Sequence, residues 1–156
     1  MNAAVRAFGP TVALVCLAGF ACAAGPADEA AGQPGAGGDA ELRLSLSVDE
    51  ESPKSGAPIV LELTATNEGE AALILDFPDG QRYDFEVFSE DGASVWRWAD
   101  GMFFAQVLGR ETLDPGASLR WTERIESGLS VGTYRIVAML TTVDTRSVEA
   151  MLTVAP

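Results

Sequence analysis

The sequence of 156 residues is long enough for one domain, and its 23 acidic against 10 basic residues give a net charge of −13. A surface this acidic repels the phosphates of nucleic acids and anionic lipids, so we expect neither as a partner. The chain contains no histidine, which removes the commonest general base and the commonest metal ligand.

Residues 1–23 have the pattern of an export signal. Arg6 gives the N-terminal region a weak positive charge, and the apolar run Thr11–Phe20 is too short to span a bilayer as a helix. The small residues Ala21–Ala23 then fit a signal cleavage site before Ala24. We therefore expect an exported protein, located in the bacterial envelope (lipid-anchored or periplasmic) or secreted.

Cys22 supports a second interpretation of the same leader. It lies just after the apolar run, where bacterial lipoproteins carry a lipidated cysteine, although the residues before it match a lipobox poorly. Residues 24–39 are Gly, Ala, Pro and acid, a composition typical of a flexible tether. Lipidation at Cys22 and simple release are both retained as alternatives, and a membrane contact is expected only through such a lipid.

The folded part, residues 40–156, has apolar residues at every second position, the pattern of strands with one buried face. Asp-Gly and Pro-Gly turns separate the runs, and no helix longer than a turn or two is predicted. We predict an all-β, immunoglobulin-like antiparallel β-sandwich of about seven to nine strands. The predicted runs are Leu42–Val48, Ile59–Thr66, Ala71–Phe77, Arg82–Ser89, Ser94–Trp98, Ser118–Ile125, Thr133–Thr141 and Ser147–Val154.

The sequence indicates no catalytic or metal centre. Both cysteines, Cys16 and Cys22, lie in the leader, so the domain has no disulfide, thiol nucleophile or cysteine-based zinc site. Its carboxylates fall in predicted loops, and phosphate loops, nucleophile elbows and dinucleotide fingerprints are absent. Asp76, Asp79 and Asp84 surround one turn, but their spacing matches no standard calcium loop. We predict a protein that is not an enzyme and that has no cofactor and no metal.

Most of the aromatic residues lie between Phe77 and Leu108. Strand phasing assigns Tyr83 and Phe85 to one face, with Trp96 and Trp98 sharing a face of the next strand, as expected for core and cross-strand pairs. After the turn at Asp100-Gly101, the run Met102–Phe104 either tucks under the sheet as a core plug or projects as a contact loop. Of these two arrangements we favour the plug.

Three segments of this block resemble one known family: Gly80–Val87 (GQRYDFEV), Val95–Trp98 (VWRW) and Gly101–Gln106 (GMFFAQ). They are similar to the BsuPI-type intracellular proteinase inhibitors, and the later Leu113-x-Pro-Gly and Gly132-Thr-Tyr134 steps also match. The resemblance covers about Glu41 to Thr141. It implies an immunoglobulin-like β-sandwich and the inhibition of a serine proteinase, and therefore a protein partner.

We hypothesise an exported or lipid-anchored, non-catalytic module that inhibits or regulates a proteinase. One alternative is an immunoglobulin-like protein-interaction module, and another is a carbohydrate-binding module that uses Trp96, Trp98 and Trp121 as stacking platforms. The candidate binding residues are those of the two turns that strand phasing leaves outside the core: Gln81, Arg82, Asp100, Gly101, Met102, Phe103 and Phe104.

Overall fold

The computed structural model describes residues 41–126 and 128–156, which form nine β-strands and no helix. No helix able to cross a membrane is found in these two stretches. The predicted export signal, the Cys22 lipidation site and the tether lie outside the described residues. The strands are β1 (Leu42–Val48), β2 (Ile59–Asn67), β3 (Leu73–Phe77), β4 (Tyr83–Ser89), β5 (Ser94–Arg97), β6 (Gly109–Leu113), β7 (Ser118–Ile125), β8 (Gly132–Leu140) and β9 (Arg146–Val154).

The strands form three antiparallel sheets, with the orders β1-β2-β7, β5-β4-β8-β9 and β3-β6. In β2, every second side chain from Ile59 to Ala65 is fully buried, and the side chains between them are half-buried. This is the alternation that the sequence pattern predicts for a strand with one face on the core. The prediction of an all-β, immunoglobulin-like antiparallel sandwich is confirmed.

The core has two parts. The main cluster lies between the three-stranded and four-stranded sheets, and the second cluster lies where β3 and β6 close the sandwich. The main cluster comprises Ile59, Leu61, Leu63, Phe85, Val87, Ile125, Leu129, Tyr134, Ile136, Ala138, Leu152 and Val154. The second comprises Leu42, Ala65, Leu75, Phe77, Leu113 and Leu140.

β6 is the one strand that the apolar pattern does not predict. Its sequence GRETL buries only Leu113, and the three residues before Leu113 are exposed. It pairs along its length with β3, where Phe77 lies opposite Gly109 and Leu73 opposite Leu113. Because the strand buries a single side chain, the alternation that marks the other strands cannot appear in it.

Three connections meet at one end of the sandwich: the β3–β4 turn, the β5–β6 connection and the β8–β9 turn. Gly80 donates its N–H to the carbonyl of Ala105 over 2.8 Å. The hydroxyl of Thr141 donates to the Gln81 carbonyl over 2.9 Å. These hydrogen bonds place the predicted turns beside each other and define the end of the molecule on which the candidate site lies.

Candidate functional site

The connection between β5 and β6, residues 98–108, is an irregular segment that exposes large apolar side chains; we call it the 98–108 loop. The exposed fraction is 100% for Phe103, 82% for Leu108, 66% for Val107 and 45% for Met102. Apolar side chains grouped in this way on a surface mark an interaction site more often than single exposed ones do.

The expectation that Met102–Phe104 forms a core plug is wrong for Met102 and Phe103, which are exposed. The space beneath the loop is already filled, because the Tyr83 ring stacks on Trp98 with ring centroids 4.3 Å apart. Phe104 alone turns inward and is half-buried, with its ring 5.8 Å from that of Trp98. The loop therefore caps the aromatic cluster and projects its remaining apolar side chains outward.

Asp84 fixes the start of the loop. It is buried in β4, where one carboxylate oxygen accepts from Arg97 Nε at 2.7 Å and the other from the Ala99 N–H at 3.2 Å. The hydrogen bond with Asp84 raises the pKa of Arg97. The sequence places Asp84 only on the face opposite Phe85, so its burial is a structural finding that strand phasing misses.

A second turn begins the exposed part of the loop. The Met102 N–H donates to the Ala99 carbonyl at 3.0 Å, and the Asp100 N–H to the Arg97 carbonyl at 3.3 Å. Gly101 has a φ of 74°, a left-handed conformation that glycine adopts without steric cost. Asp100 and Gly101 are themselves exposed, so they form the turn and border the apolar residues.

The β3–β4 turn holds the other side of the loop. The Ala105 carbonyl accepts from both Gly80 N–H and Val107 N–H, each at 2.8 Å. A Cβ on Gly80 would lie 3.2 Å from the backbone N and O of Ala105, so any larger residue would make a tight contact that the loop must relieve by moving a few tenths of an ångström. Asp79 shapes the turn by accepting from the Gln81 N–H at 2.8 Å.

The side chains of Gln81 and Arg82 hold the β3–β4 turn in place and are not exposed for binding. Gln81 is half-buried, and its amide donates to the Tyr83 carbonyl at 3.0 Å. The Arg82 guanidinium lies 4.5 Å from the Phe77 ring centroid and donates to the Asp79 carbonyl at 2.7 Å. It also forms an ion pair with Glu111 at 3.7 Å. Both residues thus support the β3–β4 turn that holds Ala105.

The structure adds Val107 and Leu108 to the candidate site. The sequence contains one signal for them: the run from Met102 to Leu108 is rich in apolar residues but lacks the alternation of the neighbouring strands. That signal does not distinguish buried from exposed side chains, because this depends on whether other elements already occupy the core below.

The three tryptophans do not form an open stacking platform. All three are half-buried and pack against the main cluster. Trp98 and Trp121 lie against the Tyr83 ring, at centroid distances of 4.3 and 5.6 Å. The ring faces of Trp98 and Trp121 that lie against Tyr83 are closed to a sugar, and none of the three rings is fully exposed, so the site offers no support for the carbohydrate-binding alternative.

The acidic residues around the site are paired or shape turns. Arg110 donates to both carboxylate oxygens of Asp76, at 2.6 and 3.0 Å, and this hydrogen bonding holds the pKa of Asp76 below its usual value. In residues 41–126 and 128–156, no three acidic, histidine or cysteine side chains are grouped so that they could hold a metal ion.

Comparison with solved structures finds a similar fold in a bacterial protein. The crystal structure of Spo0M, a sporulation control protein from Bacillus subtilis, superposes with a TM-score of 0.51 at 12% identity, over 74% of this chain and 50% of that chain. This chain thus spans half the length of Spo0M, and the similarity concerns the fold. The CARDB domain of a Pyrococcus furiosus protein matches with a TM-score of 0.42 at 14% identity, over 74% of this chain and 94% of that chain.

No curated protein matches the chain significantly. The model of one family, described as BsuPI, intracellular proteinase inhibitor, matches residues 44–145. The match covers more than half of the 156 residues and includes every strand from β2 to β8. It also contains the whole 98–108 loop and the β3–β4 turn that braces it. This chain therefore belongs to the BsuPI family of intracellular proteinase inhibitors.

Proposed function

We propose that this protein inhibits a proteinase and that the 98–108 loop is the surface with which it binds the enzyme. The observation that carries the proposal is the full exposure of Phe103 on a braced apolar loop, in a chain of a proteinase inhibitor family. The protein acts as a binding module and is not itself an enzyme. Its partner is the proteinase.

The bracing of the loop supports this role. A loop that is already ordered before binding loses less conformational entropy when it enters a proteinase cleft, and therefore binds more tightly. The loop is held at its start by Asp84, at Phe104 by the Trp98 ring, and at Ala105 by Gly80. Apolar side chains displayed on such a frame resemble the aromatic anchors that dominate protein interfaces.

Inhibition assays test the proposal directly. The purified protein is titrated against subtilisin, chymotrypsin and trypsin while the hydrolysis of a chromogenic peptide is followed. We expect inhibition of at least one enzyme, which is weakened when Met102 and Phe103 are both changed to serine. A matched control is Met151→Ser on β9, which removes another exposed apolar side chain. Full activity of all three enzymes in a large molar excess of the protein would contradict the proposal.

We further propose that the protein is exported and acts in the bacterial envelope or outside the cell. This rests on the leader sequence of residues 1–23, and it differs from the intracellular location in the family description. The mass of the mature N-terminus distinguishes the alternatives: a diacylglyceryl group on Cys22 indicates an anchor, and a chain that begins at Ala24 indicates release. An uncleaved Met1 in the cytoplasmic fraction would contradict export.

A further inference from the structure

We infer that Phe103 is the side chain that enters the main specificity pocket of the proteinase, and that this pocket is large and apolar. The inference rests on the proposed function and refines it, because it names one anchor and one class of target. Proteinases that select aromatic or large aliphatic side chains are the expected targets, and those that select lysine or arginine are not.

The first observation is the exposure of Phe103 compared with its neighbours. Its side chain is fully exposed, whereas the adjacent Phe104 is half-buried against Trp98. A free phenyl ring can bury most of its surface in a complementary pocket, and rigid aromatic side chains of this kind dominate binding energies at interfaces. Phe103 is thus the side chain of the loop with the most surface to lose on binding.

The second observation concerns the backbone. Met102 donates its N–H to Ala99, and Ala105 accepts from Gly80, so both flanks of Phe103 are tied to the domain. Within the described residues, no hydrogen bond is made by the N–H or the carbonyl of Phe103 itself. These two groups are free to pair with an extended edge of a partner, the usual way in which a peptide segment adds to an enzyme cleft.

The third observation is the charge of the loop. Residues 98–108 include no lysine or arginine, and Asp100 is their single charged residue. The nearest basic side chains are already paired: Arg82 with Glu111, Arg97 with Asp84 and Arg110 with Asp76. A pocket with a carboxylate at its base would therefore find no cationic partner on the loop, whereas an apolar pocket finds Phe103.

Leu108 is the competing anchor, since it is 82% exposed. It directly precedes β6, whose pairing with β3 begins at Gly109 and holds the chain beside the sheet edge. Phe103 instead lies between the two tied points of the loop. We therefore assign Leu108 to the surrounding contact surface, and the test includes it.

The test is a change of specificity. Inhibition constants are measured for the wild type, Phe103→Ala, Phe103→Arg and Leu108→Ala against subtilisin, chymotrypsin and trypsin. Because residue 103 is fully exposed, these variants should fold normally, which thermal unfolding checks. We expect wild-type inhibition of an enzyme with an apolar pocket, a loss of about 30-fold or more in affinity for Phe103→Ala, and a smaller loss for Leu108→Ala. We expect Phe103→Arg to gain inhibition of trypsin.

The outcomes separate the two proposals. If the wild type inhibits none of the enzymes, the proposed function fails and this inference fails with it. If the wild type inhibits but Phe103→Ala binds equally well, or Leu108→Ala loses more, the function stands and the assignment of Phe103 is overturned. Wild-type inhibition of trypsin alone would overturn the assignment of an apolar pocket.

Discussion

At the scale of single residues, Asn67 joins three parts of the domain. It is fully buried at the end of β2, where its amide nitrogen donates to the carbonyls of Ala71 and Leu113 at 2.7 and 2.8 Å. Its side-chain oxygen accepts from the Gly69 N–H at 2.9 Å. The sequence Asn-Glu-Gly indicates a turn here but gives no sign that the asparagine is buried and links β2 to β6.

We predict that Asn67→Ala lowers the free energy of unfolding by about 3 kcal/mol, because it leaves the buried carbonyl of Leu113 and the part-buried N–H of Gly69 without this partner. Urea unfolding followed by fluorescence measures the change. The matched control is Thr66→Ala, which removes only an exposed hydrogen bond with Ser118, and a loss as small as that of the control would contradict the prediction.

The surroundings of Tyr83 predict that the folded state loses stability at alkaline pH. The pKa of Tyr83 is raised above its ordinary value of 10.0. Burial of the ring is the larger cause, and the hydrogen bond to the Glu123 carboxylate is the second. The folded state thus holds this proton more tightly than the unfolded state does. The resulting stabilisation is complete below about pH 10 and is lost as the pH rises above the unfolded pKa.

Tyr83→Phe should remove that dependence. We expect the wild type to lose up to about 1 kcal/mol more than the variant between pH 9 and pH 11, allowing for partial exposure of the ring. At pH 7 the variant should be less stable by about 1 kcal/mol, the value of one hydrogen bond. Urea unfolding at each pH measures both effects, and parallel pH profiles for the two proteins would contradict the assignment.

At the scale of elements, the start of the 98–108 loop depends on one buried carboxylate of β4. Asp84 joins the side chain of Arg97, on β5, to the backbone of Ala99, in the loop. Removing a buried acceptor leaves its donors to find other partners. The N–H of Ala99 reaches another acceptor only if the loop moves, whereas the partly exposed guanidinium of Arg97 can donate to water instead.

We predict that Asp84→Ala loosens the loop while the two sheets stay intact. Amide exchange at Ala99 and Met102 should become faster by about tenfold or more, while exchange in β8 stays unchanged. Inhibition should weaken, because the loop must then be ordered on binding. The control is Glu68→Ala, which removes an exposed ion pair with Arg43 of β1. Equal exchange rates in the wild type and Asp84→Ala would contradict the role given to Asp84.

The sequence predicts strands better than loops, for a physical reason. A strand such as β2 buries one face against the core, so apolar and polar residues alternate in its own sequence and predict the strand. β6 buries only Leu113, and its position is decided by pairing with β3. Whether Phe103 is buried depends likewise on Tyr83 and Trp98, which fill the space below. The sequence indicates where these turns lie along the chain, but it does not indicate which of their side chains are exposed.

At the scale of the whole domain, two core clusters share a boundary. Leu44 and Trp121 pack against both the main cluster and the cluster closed by β3 and β6. The described residues contain no cysteine, so no disulfide joins their sheets. Shared side chains at such a boundary couple the two clusters energetically, which favours unfolding in one step.

We predict that damage to either cluster lowers one common unfolding transition. Phe85→Ala in the main cluster and Phe77→Ala in the second should each cost about 3–5 kcal/mol, because both rings are fully buried. For each variant, tryptophan fluorescence and far-ultraviolet circular dichroism should give coincident urea transitions. Trp96 and Trp98 pack against the main cluster and only Trp121 contacts both, so most of the fluorescence change would lag behind dichroism in Phe77→Ala if the second cluster unfolded alone. Such a separation would show that β3 and β6 form an independent unit, and that the 98–108 loop joins two bodies instead of projecting from one.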